Sequence, residues 1–420
     1  MIKNDNYEER VILIGVLLPG NPEWHARDTL DELEQLAKSA GASVLQSILI
    51  KQAKLKAGQF IGSGKVEELF SVVASQKATM VVFDDDLTPV QSRNLEIGLK
   101  VRVLDRTQLI LDIFAMRAKT REGFLQVQLA QHQYLIPRLR NMWTHLERQK
   151  GGIGLRGPGE TQLEMDRRRI QSLIKTLKRD LELVRTRRAE QRRGRRRHGW
   201  SLVSIVGYTN AGKSTLLNKL SGACIYAKDQ LFATLDPTTR QVDLPKSGPI
   251  LMTDTVGFIQ KLPTHLVDSF KATLEEVVEA DLLIHVIDAS HPQVEMQIDA
   301  VNQVLDEIGT LDKPLLYVLN KIDTEHGSKV AKKLIPRFKY VSALSAKTGE
   351  GLENFFEIIS EIFKEKTIEL DISVPLTEGR FLALLRKRGV ILESKYNESS
   401  AELRVRVSDQ LASQCRFYIS

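Results

Sequence analysis

Short apolar runs alternate with longer amphipathic stretches along the first hundred or so residues. Val11 to Leu18, Ser43 to Ile50, Met80 to Phe83 and Val101 to Leu104 have strand length. Each is followed by a helical pattern: Ala26 to Ala40, Lys65 to Ala74, Pro89 to Leu99 and Thr107 to Phe114. Strand and helix in strict alternation predict a small parallel α/β domain over residues 1–116. The first run is interrupted only by Gly15 and ends in Pro19-Gly20-Asn21-Pro22. It is too short and wrongly flanked for a signal peptide, so it reads as a buried strand.

Two long helical patterns follow, Thr120 to Gln149 and Glu160 to His198, separated by a glycine-rich stretch, Gly151 to Gly159. Ile170, Leu173, Leu177, Leu181 and Val184 recur at three- and four-residue steps, the seam of an antiparallel coiled coil. Residues 117–198 are therefore predicted to form a helical hairpin with a glycine-rich tip. Pro137 is expected to kink the first helix or end its regular part. Strand and helix alternate again from Leu202 to Phe363, a second α/β domain over residues 199–366. The remainder, 367–420, offers a helix near Arg380 to Arg388 and two strand-like runs, Val390 to Tyr396 and Ala401 to Val407, a small α+β appendage. The expected fold class is α/β multidomain, with a mostly parallel sheet covered by helices on both faces in the larger domain.

That larger domain carries the chemistry. The apolar run Ser201 to Val206 leads into Gly207-Tyr208-Thr209-Asn210-Ala211-Gly212-Lys213-Ser214, with Thr215 next. A glycine-rich turn between strand and helix aims backbone N–H groups at a phosphate, and the helix N-terminus adds partial positive charge. The pattern G-x-x-x-x-G-K-[ST] is complete and in the right setting. Lys213 is expected at the β- and γ-phosphates, and the Ser214 hydroxyl at Mg²⁺. Gly62-Ser63-Gly64-Lys65 is a near miss, with Gln59 at the first glycine position and Val66 after the lysine, and reads as an ordinary glycine turn.

Further along, Asp254-Thr255-Val256-Gly257 follows an apolar run ending at Thr253, where a carboxylate can hold the Mg²⁺ shell and a glycine N–H can approach the γ-phosphate. Asn320-Lys321-Ile322-Asp323 follows Leu315 to Leu319. Asp323 can accept from the N1–H and 2-amino group of guanine, and Asn320 can face its O6/N7 edge; adenine would leave the carboxylate unpaired. Ser345-Ala346-Lys347 is expected to place a backbone N–H against O6, with Ser342-Ala343 as a rival. The polar loop containing Phe232, Ala233, Thr234, Leu235 and Asp236 sits where a second hydroxyl for Mg²⁺ would come from. Thr234 is the first choice and Thr238 the second.

These motifs call for GTP or GDP and Mg²⁺, with Lys213, Thr234 and Gly257 as the catalytic group. Phe258 stands where many GTPases carry a water-orienting glutamine, so slow intrinsic turnover is expected, with Gln260 as an alternative. Asn210 occupies the position at which some GTPases bind K⁺ in place of an arginine finger; a plain structural role is the other reading.

Composition adds two points. At 420 residues, 42% hydrophobic and 27% charged, the chain is ordinary globular protein with no run approaching a membrane span. Two cysteines, Cys224 and Cys415, lie far apart, which fits a reducing cytoplasm and indicates no disulfide framework or zinc site. The net charge of +7 is concentrated between Arg167 and Arg197, which hold fourteen cations against Asp180, Glu182 and Glu190; the rest of the chain is slightly acidic. A charge run is commonly just a solvated face, but this density on a helical hairpin is the footprint of a polyanion partner, RNA above all.

The guanine-nucleotide motifs resemble those of the translation-factor-related GTPases. Together with Gly151-Gly152-Ile153-Gly154-Leu155-Arg156-Gly157-Pro158-Gly159-Glu160, Leu163 to Arg168 and Leu231 to Pro237, they make nearly the whole chain similar to the HflX family of ribosome-associated GTPases. The resemblance implies Mg²⁺-dependent GTP hydrolysis, binding to the large (50S) ribosomal subunit, and dissociation or rescue of stalled ribosomes under stress. It implies contacts of the hairpin, its tip and the N-terminal domain with rRNA. A monomer is expected, and no ATP motif appears. Two rival functions fit the nucleotide motifs: a GTP-gated interaction protein that does no work on ribosomes, and a GTPase of an RNA-modification or ion-transport assembly.

Overall fold

The structure, a computed structural model, describes residues 9–142, 158–197, 200–222, 231–232, 234–245, 248–261, 274–364 and 367–419. Two compact units divide it. The first runs to Val184 and takes in two short returns of the chain, Gln230–Phe232 and Lys261–Phe270; the second comprises Arg185–Asp229, Ala233–Gln260 and Lys271–Ser420.

In the first unit, β1 (Arg10–Leu17), β2 (Ser43–Lys51), β3 (Met80–Phe83) and β4 (Arg102–Asp105) form a parallel sheet in the order β2-β1-β3-β4. Ile12, Ile14, Val81 and Phe83 are fully buried, which is why the β1 and β3 runs carry no polar face. Between the strands run α1 (Glu23–Ser39), α2 (Ser63–Gln76) and α3 (Pro89–Leu99), and α4 (Arg106–Arg117) follows β4. Helix α3 starts on a capping box in which Thr88 and Gln91 exchange bonds, with Pro89 at its first position. Gly62 precedes α2, and Ser63, Gly64 and Lys65 open that helix, so the stretch read as an ordinary glycine turn is a helix start.

Asp105 ends β4 and caps α4, accepting from Gln108 N at 2.9 Å. The same buried carboxylate accepts from Tyr134 Oη at 2.7 Å and Arg138 Nη2 at 2.9 Å. Both donors belong to α5 (Arg121–Met142), which continues through Pro137, so of the two outcomes expected there, a kink or an end of the regular helix, the end does not occur. The anchors at Tyr134, Arg138 and buried Leu139 hold the chain on either side of the missing N–H. Helix α6 (Pro158–Arg197) packs on α5 through Leu177 and Leu181, with Ile174 and Val184, against Leu125 and Leu129. Leu173 is exposed, so Ile174 takes the seam position expected of its neighbour. Residues 173 and 174 stand at opposite edges of the stripe centred on 177 and 181, about 100° apart, and the edge carrying Ile174 is the one turned to α5. Most of the glycine-rich tip, 151–157, lies outside the described residues.

In the second unit a six-stranded sheet runs in the order β10-β9-β8-β5-β7-β6. Its strands are β5 (Leu202–Gly207), β6 (Thr238–Leu244), β7 (Gly248–Asp254), β8 (Leu282–Asp288), β9 (Leu315–Asn320) and β10 (Val341–Ala343). Of these six, only β6 is antiparallel to its neighbour. Helices on the core side, α7 (Lys213–Leu220) among them, bury Leu216, Leu217, Phe355 and Ile359 against Val203, Ile205 and Ile284. Each fully buried aliphatic side chain contributes about 1.5–3 kcal/mol relative to exposure. The carboxyl ends of β5, β7, β8 and β9 are Gly207, Asp254, Asp288 and Asn320, so the topology alone collects the motif residues at one edge of the sheet.

The chain ends in an antiparallel sheet, β11 (Thr367–Pro375), β13 (Ser400–Ser408) and β12 (Val390–Tyr396), with helices Gly379–Arg388 and Asp409–Cys415. Neither β11 nor the last helix is expected from the sequence. Cys415 is buried there; Cys224 lies outside the described residues. Among the described residues no helix is long and apolar enough to cross a membrane.

Candidate nucleotide site

Strand β5 delivers the chain at Gly207 into a turn whose backbone is left-handed at Asn210 (φ 59°) and Gly212 (φ 97°). Gly212 has no substitute: a Cβ there would stand 2.2 Å from Asn320 Nδ2. The turn opens α7 at Lys213, so its N–H groups face the same space as the helix N-terminus. Lys213 folds over the loop and donates from Nζ to the carbonyls of Tyr208 at 2.7 Å and Gly207 at 3.0 Å. Burial pushes its ammonium down to about 8, against the pull of Asp254. His285, on β8, is pushed down to about 3 by burial and then by the Lys213 charge, and is therefore neutral.

Three oxygen-bearing side chains meet in front of α7. Ser214 Oγ donates to Asp254 Oδ2 at 2.6 Å and lies 2.8 Å from Thr234 Oγ1. Thr238, the second choice, is instead the first residue of β6 and exposed. The other Asp254 oxygen, Oδ1, is buried and has no hydrogen-bond partner among the described residues. Burial raises the Asp254 carboxyl in spite of Lys213 and Ser214. A divalent hard cation would satisfy both the orphaned oxygen and the raised carboxyl, and two hydroxyls with one carboxylate are its donor set. Beside them, Thr255 donates to Ile205 O at 2.7 Å. Gly257 packs so closely that a Cβ would come within 2.9 Å of Lys213 Nζ.

Phe258 is buried and its backbone is laced to the phosphate loop: its N donates to Gly207 O at 3.1 Å, and its O accepts from Thr209 N at 2.8 Å. The ring is thus a packing element. Gln260 N donates to Tyr208 Oη at 2.8 Å, which ties the next turn of chain to the same loop.

On the opposite side of the loop, Asn320 is buried and uses both ends of its side chain within the protein. Nδ2 donates to Ala211 O at 2.8 Å and Oδ1 accepts from Ala346 N at 2.9 Å. The motif alone places Asn320 at the base edge; the structure makes it a latch between the phosphate loop and residues 345–347. Lys321 (φ 65°) pairs with Asp288 Oδ2 at 2.5 Å, a partner that sequence reasoning misses although Asp288 ends an apolar run. Ile322 is half-buried and Asp323 is exposed, so the carboxylate is open to an arriving base. Ser345 and Ala346 are buried and Lys347 exposed in the loop after β10, whereas Ser342 and Ala343 remain inside that strand. Phe232 and Leu235 are buried, Asp236 and Thr215 half-buried, and Val256 half-buried; Ala233 lies outside the described residues.

Three family models match successive stretches: GTP-binding GTPase N-terminal over residues 27–115, GTP-binding GTPase Middle Region over 117–195, and 50S ribosome-binding GTPase over 202–321. GTPase HflX of Lacrimispora saccharolytica is 44% identical over 411 residues, covering 98% of this chain and 96% of that protein. The chain belongs to the HflX family. GTPase HflX of Escherichia coli is 43% identical over 413 residues, covering 96% of this chain and 95% of its own length. Among solved structures, a GTP-binding protein of the archaeon Sulfolobus solfataricus in complex with GDP is 23% identical, covers 84% of this chain and 98% of that one, and has a TM-score of 0.45. As an HflX GTPase the chain binds guanine nucleotide and hydrolyses GTP to GDP and phosphate.

Proposed function

We propose that this GTPase binds the large (50S) ribosomal subunit and couples its GTP/GDP cycle to dissociation or rescue of stalled ribosomes. The supporting observation is the surface of α6. Arg167, Arg168, Arg169, Lys175, Lys178, Arg179 and Arg187 are all exposed along a helix whose other stripe is occupied by Leu177 and Leu181. Such a row matches the phosphate backbone of structured RNA. The description of the model matched by residues 202–321 points the same way.

At the nucleotide, Lys213 exchanges its two carbonyls for the β- and γ-phosphates. Ser214, Thr234 and Asp254 hold Mg²⁺, which when bound neutralises charge on the phosphates. Gly257 brings a backbone N–H to the γ-phosphate, and Thr209 to Thr215 surround the phosphates. Phe232 to Asp236 form the loop that closes over them. Asp323 accepts from guanine N1–H and the 2-amino group, while the Ser345–Lys347 loop, fixed by Asn320, offers its N–H groups to O6. Asn210, exposed at the turn, is the candidate for a K⁺ ion beside the phosphates. The buried Phe258 ring orients no water, so turnover is slow until a partner completes the site.

Cosedimentation with 50S subunits tests this. Pelleting with a non-hydrolysable GTP analogue and release with GDP is expected. Intact hydrolysis with no pelleting in either state would leave a GTP-gated interaction protein that does no work on ribosomes.

A further inference from the structure

Thr209, in the phosphate loop, is 6% exposed, and its Oγ1 is buried without a hydrogen-bond partner among the described residues. A hydroxyl taken from water and left unpaired costs free energy, so an orphan at a ligand site points to a partner that arrives with the ligand. The neighbouring hydroxyls are already engaged. Ser214 donates to Asp254 and meets Thr234, Thr255 donates to Ile205 O, and Tyr208 Oη accepts from Gln260 N.

Thr209 N donates to Phe258 O at 2.8 Å, which seats the residue beside the end of the Asp254–Gly257 motif. A Cβ at Gly257 would lie 2.8 Å from Thr209 Cγ2 and 2.9 Å from both Thr209 Cα and Lys213 Nζ. Gly257 is thus flanked by the Lys213 ammonium on one side and the Thr209 side chain on the other. With Lys213 on the β- and γ-phosphates and the Gly257 N–H on the γ-phosphate, Thr209 belongs to the γ end of the nucleotide, away from the base.

We propose that the Thr209 hydroxyl is a catalytic group of this GTPase, bridging the attacking water and a γ-phosphate oxygen. A hydroxyl has one proton to donate and two lone pairs, so it can accept from the water while donating to the phosphate. The Phe258 ring has no polar atom and can do neither. In the reaction the water oxygen bonds to the γ-phosphorus. The bond from that phosphorus to the bridging oxygen breaks with its electron pair left on GDP, and the water's proton passes to the released phosphate. Thr209 Oγ1 ends with the proton it began with; its part is to aim the water. The proposal deepens the reading of Gly257 as the residue that meets the γ-phosphate, and it rests on that reading.

Two substitutions in the full-length chain separate hydroxyl from shape. Thr209→Val keeps the methyl against Gly257 and removes the hydroxyl, whereas Thr209→Ser keeps the hydroxyl and removes the methyl. Single-turnover hydrolysis of GTP is expected to slow about tenfold in Thr209→Val and to recover most of that loss in Thr209→Ser, with GDP affinity in both within about twofold of wild type. Calorimetry adds a readout without turnover. Affinity for GDP with aluminium fluoride, which imitates the phosphoryl group in transfer, should fall about tenfold in Thr209→Val and be largely kept in Thr209→Ser. A packing role predicts the reverse order, with Thr209→Val spared and Thr209→Ser impaired. That order, equal slowing in both variants, or loss of GDP affinity along with rate overturns the proposal. Gly257→Ala checks the reading beneath it: if GDP and a non-hydrolysable GTP analogue both bind that variant as they bind the wild type, the placement of Gly257 at the γ-phosphate has failed instead.

Discussion

The Ser214 hydroxyl donates to Asp254 across 2.6 Å, joining the first helical turn after the phosphate loop to the end of β7. Thr234 closes the group from a third segment. Asp254→Asn removes the charge these hydroxyls and a cation converge on. Hydrolysis titrated against Mg²⁺ should then need a higher half-saturating concentration, and kcat should drop roughly 10- to 100-fold, the effect of removing a charge-assisted hydrogen bond. A Mg²⁺ titration that superimposes on the wild type would remove Asp254 from the metal site.

Nucleotide affinity should depend on pH in a defined window. The free Lys213 ammonium titrates near 8, and phosphate oxygens raise it again on binding. The bound form has the higher value, so affinity is full below pH 8 and weakens as pH rises above it. Calorimetry at pH 8.5 in two buffers of different ionisation enthalpy should register proton uptake. Heats that do not depend on the buffer would contradict this.

Installing a glutamine at position 258 should not accelerate the enzyme. Phe258 is 3% exposed, and its backbone is already committed to the phosphate loop. Phe258→Gln removes buried ring surface and inserts an amide, a loss on the order of 3 kcal/mol. A lower melting temperature with no gain in single-turnover rate is expected; a faster rate would show that the side chain reaches the water.

Asp323 is exposed and ready to accept from the base. Asp323→Asn should move selectivity from GTP towards XTP by about 10- to 100-fold, the effect of one mismatched polar pair. Competition binding measures it, and an unchanged GTP-to-XTP ratio would assign guanine recognition elsewhere.

For RNA, the replacement of Arg167, Arg168 and Arg169 together by Ala should flatten the salt dependence of 50S binding. Every phosphate left without its cation lowers the slope of log affinity against log salt by roughly 0.7–0.9. An identical slope would make these residues a merely solvated face.

How much of this is written locally in the chain differs from element to element. Strand β5, its turn and α7 are legible because an apolar run, a glycine pattern and a helix start coincide within a short stretch of chain. Strand β11 is harder to see, although Ile368, Leu370, Ile372 and Val374 alternate with polar residues, the period of a half-buried strand. Leu173 and Ile174 are adjacent apolar residues, and only the facing Leu125 and Leu129 decide which one enters the seam. The motif assigns Asn320 to the base, whereas its two partners, Ala211 O and Ala346 N, are backbone atoms whose positions only the folded sheet supplies.

That latch has a consequence for which molecules fit. With one amide bridging the turn that grips phosphates and the loop offered to the purine, the span between the two grips is fixed like the jaws of a caliper. A guanine compound too short to span the two grips forgoes one of them, and a guest seated at one jaw finds the other already set.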